Sequence, residues 1–194
     1  LGLILVTVAG AELFTGNNLL AMAWAAGRVS TRDVLVNWTV VCAANFVGAV
    51  GLAVLVWLSG HADLGDGAVG RAAMRIATDK VQLSWTELFV RGMLCNVLVC
   101  MAVWMALAGR SVTDKVLAIV FPITAFVAAG FEHSIANMYF LPLAALLGAP
   151  LGAGDLLHNL VPVTAGNIVG GSVLVALVYW LIYLRPGAAP PTRS

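Results

Sequence analysis

The chain has 194 residues, 61% of them hydrophobic and 10% charged, with a formal net charge of +1. A soluble domain of this size carries roughly a quarter charged residues, so this composition and a mean hydropathy of +0.99 indicate an integral membrane protein with little material outside the bilayer. No basic cluster is present, which argues against a nucleic-acid partner.

Five hydrophobic runs follow in order: Leu1–Ala26, Val34–Leu58, Leu88–Leu107, Val116–Leu147 and Val163–Leu184. Each is long enough to cross a hydrocarbon core of about 30 Å as a helix, and only helices or closed barrels satisfy their own backbone there. No alternating barrel pattern is visible, so the fold class is all-α. The first run starts at Leu1 without Met or a charged leader, and the expectation is that the natural N-terminus lies further upstream.

The first and fourth runs are broken by the same polar signature. Gly10, Glu12 and Asn17 in AGAELFTGN match Gly130, Glu132 and Asn137 in AGFEHSIAN, each reading G-x-E-x-x-x-x-N. A carboxylate at membrane depth is costly, and paired breaks in corresponding halves point to a transport site. Asn45-Phe46-Val47-Gly48 in the second run resembles Asn167-Ile168-Val169-Gly170 in the fifth. Runs one and two therefore correspond to runs four and five, and the third run would pair with a span preceding Leu1. Six spans in two halves of three form an inverted repeat. The expected divisions are residues 1–58 (first half, without its first span), 59–84 (connecting loop), 85–184 (second half) and 185–194 (a disordered cytoplasmic tail). Gly48, Gly170 and Gly171 are expected to serve helix packing, while Asn45 and Asn167 either pack or line a pore.

Arg28 and Arg32 follow the first run, Arg110 and Lys115 the third, and Arg185 and Arg193 the fifth. The excess of Lys and Arg on the cytoplasmic side places those ends and the C-terminus inside. Trp57, Trp85, Trp104, Tyr179, Trp180 and Tyr183 lie toward run ends, as interfacial anchors do. Cys42, Cys95 and Cys100 sit in apolar runs as small buried hydrophobes, without a disulfide or metal role.

In each break, free N–H groups at the start of the following half-helix suit an anion. Glu12 and Glu132 can accept from loose N–H groups, and Asn17 and Asn137 can bridge the loops to neighbouring helices; direct substrate contact is the alternative. His133 has Leu13 as its counterpart, so the repeat does not require it. It alone of the three histidines lies deep in a span, with His61 and His158 in solvated connections. A histidine there can donate a proton or a hydrogen bond. No further ligand at suitable spacing supports a metal. Thr15 can bond substrate or His133. Lys80 precedes the third run and can draw anions toward a vestibule. Leu13, Phe14, Val99 and Phe126 can form apolar constrictions or simply pack.

These blocks, together with RGMLCNVLVCMAVWMA, GRSVTDK, FVAAGFEHSIANMYFLP and PVTAGNIVGG, resemble the formate/nitrite transporter family across nearly every span. The resemblance implies an aquaporin-like inverted repeat and a homopentamer in the bacterial cytoplasmic membrane, with one pore per subunit. It implies passage of small monovalent anions such as formate, nitrite or hydrosulfide, with protons involved, and no cofactor or catalysis. It places the central histidine at His133, the loop threonine at Thr15 and the entrance lysine at Lys80. The supporting residues fall on Glu132 and Asn137, the pore asparagines on Asn96 and Asn167, and the narrowings on Leu13, Phe14, Val99 and Phe126. Phe131 and Ile135 look more like formate members. The rivals are a neutral-solute channel, which would want Asn-Pro-Ala at both breaks; an intramembrane enzyme using Glu132, His133 and Ser134, which adjacent helix positions serve poorly; and a structural or signalling subunit.

Overall fold

The computed structural model describes residues 1–185, and every regular element in it is helical. In order these are α1 (Gly2–Ala9), a 3₁₀ turn (Gly16–Leu19) leading into α2 (Leu20–Ala25), α3 (Thr31–Leu58), α4 (Leu64–Val81), α5 (Trp85–Ala108), α6 (Val112–Ala128), α7 (Ser134–Leu146) and α8 (Ala153–Ile168). Wide π-helical turns continue α8 through Val169–Leu177 and again over Trp180–Leu184. Thr31–Leu58, Trp85–Ala108 and Ala153–Leu184 are long and apolar enough to cross a membrane unbroken. The other two spans are pairs of half-helices, α1 with α2 and α6 with α7. Each first half-helix ends on a glycine, Gly10 at φ 76° and Gly130 at φ 66°, a left-handed conformation that a side chain rarely adopts.

Sharp N-termini come from capping boxes. Ser30, Ser84 and Ser111 accept from the main-chain N–H of Asp33, Glu87 and Asp114, whose carboxylates return the bond. Ser111→Ala is expected to lower the stability of the protein in detergent by about 1 kcal/mol, read as a small fall in melting temperature with flux intact.

At the centre α5 lies between α8 and α6, while α3 and α4 flank α7. The α5–α8 seam is a backbone-to-backbone contact. A Cβ on Gly166 would run into the carbonyl oxygen of Phe89, one on Gly170 into that of Met93, and one on Gly92 into that of Val163. Small residues permit this approach in a membrane, where dispersion and polar contacts rather than water exclusion hold helices together. Gly171 also packs closely, against Asn96, Asn18 and Cys100. Gly48 does not: it is exposed on α3, with open space where a Cβ would stand, so the packing expected of it has no partner among the described residues.

Two segments differ from the sequence reading. The connection at residues 59–84 is largely helical. Its regular part starts after Gly65, Asp66 and Gly67, three successive residues of positive φ, and Arg71 Nη1 donates to the Asp66 carbonyl at 2.7 Å. The last span begins at Ala153, ten residues before Val163, since the Asp155 carboxylate accepts from Gly152 N–H at 2.8 Å and starts the helix there. His158 therefore sits half-buried on α8 instead of in a solvated connection, accepting from Trp85 Nε1 at 2.8 Å. His61 is exposed in a short 3₁₀ turn. Cys95 and Cys100 are buried and Cys42 half-buried, all as free thiols. The tail expected to be disordered, with Arg193, lies outside the described residues apart from Arg185.

Candidate functional site

The two breaks carry irregular main chain whose N–H and C=O groups need partners, and an asparagine supplies them in each half. In the first break, Asn45 Oδ1 accepts from Phe14 N–H at 3.0 Å and its Nδ2 donates to the Glu12 carbonyl at 3.1 Å. In the second, Asn167 Oδ1 accepts from Ser134 N–H at 2.9 Å and its Nδ2 donates to the Glu132 carbonyl at 3.0 Å and to the Gly92 carbonyl at 2.7 Å. The carboxylates are held in parallel fashion. Asn17 Nδ2 donates to Glu12 and to Asn37 Oδ1; Asn137 Nδ2 donates to Glu132 at 2.6 Å and to Asn159 Oδ1 at 2.7 Å. Apart from the additional Asn167–Gly92 bond, each of these bonds in one half has its counterpart in the other, which is the geometry of an internal repeat. Buried main chain without such partners would cost several kcal/mol per group in a membrane.

The halves then diverge. Lys80 Nζ, at the end of α4, pairs with Glu132 at 2.8 Å; the lysine side chain is 18% exposed and the carboxylate 3%. Glu12 is exposed and has no cationic partner among the described residues.

Where the breaks meet, Thr15 Oγ1 lies 3.0 Å from His133 Nε2. His133 is also the N-cap of α7: its Nδ1 accepts from Ala136 N–H at 3.2 Å. Only a lone pair can accept that N–H, so the neutral ring carries its proton on Nε2 and donates it toward Thr15. The Phe126 ring stacks on the imidazole, with centroids 5.8 Å apart and planes at 15°. Leu13, Val99, Ile123, Phe126 and Ile135 join His133 around a cavity of about 310 Å³ whose walls are almost wholly apolar. Three of the four expected constriction residues thus surround the histidine. Phe14 does not; it is buried edge-on to Trp38, at 6.3 Å, and faces a separate cavity with Leu35 and Met138.

Asn96 and Asn167, placed at the pore by the resemblance, are both fully buried; Asn167 spends its donors on main chain, and Asn96 on main chain and on Asn18. Asn96 Nδ2 reaches the carbonyls of Thr15 (3.1 Å) and Asn167 (2.6 Å) and the side chain of Asn18 (2.8 Å). They fix the threonine loop against α8. Sequence reasoning missed Asn18, Asn37 and Asn159. The signal for two of them was present, since Asn37 and Asn159 each stand eight positions before Asn45 and Asn167. No cluster of three His, Cys, Asp or Glu suited to a metal occurs among the described residues.

A family model described as formate/nitrite transporter matches residues 1–181. The chain is 42% identical to the formate channel FocA of Escherichia coli (strain K12), covering 95% of this chain and 72% of that protein. It is 40% identical to a probable formate transporter of Methanothermobacter thermautotrophicus, with the same shares covered. Among solved structures it resembles a pentameric formate channel with formate bound, with a TM-score of 0.84 at 41% identity, covering 95% of this chain and 80% of that one. It also resembles an FNT family ion channel, with a TM-score of 0.86 at 35% identity over 93% and 73% of the two chains.

Proposed function

The chain belongs to the formate/nitrite transporter family, and from that premise we propose that it forms a homopentameric membrane channel for a small monovalent anion, formate, whose passage is linked to protons at His133. The observation that carries this reading is the Thr15–His133 pair, set in an apolar cavity with Lys80 beyond it. The aligned relatives that carry formate in their names support the choice of anion. The distribution of Arg and Lys supports a C-terminus on the cytoplasmic side of a bacterial inner membrane.

Lys80 offers the entering anion a positive charge at the edge of the break, and the half-helix N-termini add their N–H dipoles. Glu132 holds that lysine in place. Beyond it the walls turn apolar, and a bare anion there loses hydration worth several kcal/mol. His133 Nε2–H and the Thr15 hydroxyl return part of it as hydrogen bonds. A proton added to Nδ1 would turn the ring into a cation at the cost of the α7 cap, so that state is favoured with an anion beside it. Anion and added proton together cross the constriction without net buried charge. Leu13, Val99 and Phe126 keep water and larger solutes out, and the protein passes its solute unchanged.

The test is uptake of formate and of nitrite into liposomes containing the purified protein, at two pH values. Formate uptake that rises as the outside is acidified is the expected result. Nitrite preferred over formate would change the substrate and keep the site, and no anion flux would sink the proposal.

A further inference from the structure

Asn159 is fully buried on α8 and uses both ends of its amide. Its Oδ1 accepts from Asn137 Nδ2 at 2.7 Å, and its Nδ2 donates to the main-chain carbonyl of Lys80 at 3.2 Å. Asn137 Nδ2 also donates to Glu132 at 2.6 Å, and Glu132 pairs with Lys80 Nζ at 2.8 Å. These four residues therefore close a ring that grips Lys80 from both sides, its ammonium by Glu132 and its backbone by Asn159. The neighbouring residue reinforces it. His158 Nε2 lies 3.0 Å from the Leu83 carbonyl and its Nδ1 accepts from the Trp85 indole, so α8 clasps the turn that follows the lysine. Asn37, the counterpart in the first half, accepts the matching bond from Asn17, yet no lysine is tied to it among the described residues. The backbone tether is thus an addition to the repeat, found on the side where the cation stands.

We propose that Asn159 is a positioning residue for anion capture: it sets the place of Lys80, and through it the charge that an entering anion meets. This rests on the anion-channel reading above. A lysine has a long flexible stem, and its field at a given point depends on where its Cα is anchored. Without the tether, Lys80 leaves Glu132 partly unpaired, and an unpaired carboxylate at the mouth repels anions.

The experiment compares Asn159→Leu and the smaller, still polar Asn159→Ser with the unmodified protein in liposomes, at matched amounts of assembled pentamer. Initial formate uptake is measured against formate concentration and against added inert salt. Half-saturation is expected to rise about fivefold with the maximal rate within about twofold, because capture and not passage is impaired. The attraction that draws an anion from solution toward Lys80 acts through water and is screened by salt, so the salt dependence should flatten toward that of Lys80→Met. Asn159→Leu added to Lys80→Met should change half-saturation little further. If both Asn159 variants keep the original half-saturation and salt dependence, the inference fails while the channel reading stands. A lower maximal rate with salt dependence unchanged would mark Asn159 as a purely structural residue and overturn it equally. Absence of formate uptake by the unmodified protein would overturn both readings.

Discussion

His133→Phe is expected to abolish the acid stimulation of formate uptake and to lower uptake at acidic pH by roughly ten- to a hundredfold. Phenylalanine keeps the size of the ring and its stacking on Phe126, so the apolar cavity is preserved. What it removes is the Nε2–H directed at Thr15 and the nitrogen that can take a second proton. A hydrogen bond to a charged group contributes about 1.5–3 kcal/mol, and each 1.36 kcal/mol on a barrier is a factor of ten. The α7 cap is lost as well, at about 1 kcal/mol, which the half-helix tolerates because Asn167 still accepts from Ser134 N–H. The measurement is initial uptake across a pH series, with pentamer content checked by native electrophoresis. Flux that keeps its full pH dependence in this variant would show that the proton is handled elsewhere.

The second large effect concerns assembly of the subunit. Gly166→Leu is expected to leave no correctly folded protein, and even Gly166→Ala should lower stability by several kcal/mol. The added carbon would meet the Phe89 carbonyl and the Met93 nitrogen, both main chain, so no side chain can step aside. Overpacking costs about 1–3 kcal/mol where neighbours can shift, and more where they cannot. Separating α5 from α8 would also pull Asn167 away from Gly92, undoing the second break. Gly48→Ala provides the contrast: with open space around it and a helix interior to gain, it should be neutral or slightly stabilising. Thermal melts of the two alanine variants in the same detergent decide the matter. Similar melting temperatures would mean that the seam relaxes.

Much of this arrangement is legible in the chain because the membrane makes polar residues conspicuous. The paired G-x-E-x-x-x-x-N signatures mark both breaks, and Thr15, His133 and the apolar Leu13, Val99 and Phe126 do converge. The sequence reading fell short where polar residues are paid for by distant partners. Asp155, His158 and Asn159 look like a solvated connection ahead of Pro162, yet they lie on a spanning helix: Asp155 caps its start through Gly152 N–H, Trp85 and Leu83 satisfy His158, and Lys80 and Asn137 satisfy Asn159. α4 was concealed by Gly65-Asp66-Gly67, whose turn chemistry is real but local. Phe14, left between constriction and packing by the chain alone and placed at a narrowing by the resemblance, packs edge-on against Trp38 and lines a cavity separate from that of His133. The resemblance places Asn96 and Asn167 at the pore, and the chain alone leaves Asn167 between packing and a pore; among the described residues Asn167 holds main chain, and Asn96 holds main chain and Asn18.

The side-chain ties on the irregular backbone at Phe14, Glu12, Ser134 and Glu132 end on primary amides, Asn45 and Asn167. An amide has no charge to gain or lose across the physiological range, so acid leaves those ties unaltered, and on the reading proposed above it acts on the imidazole beside them. The two amide girders therefore keep one geometry whatever the acidity on either side of the bilayer.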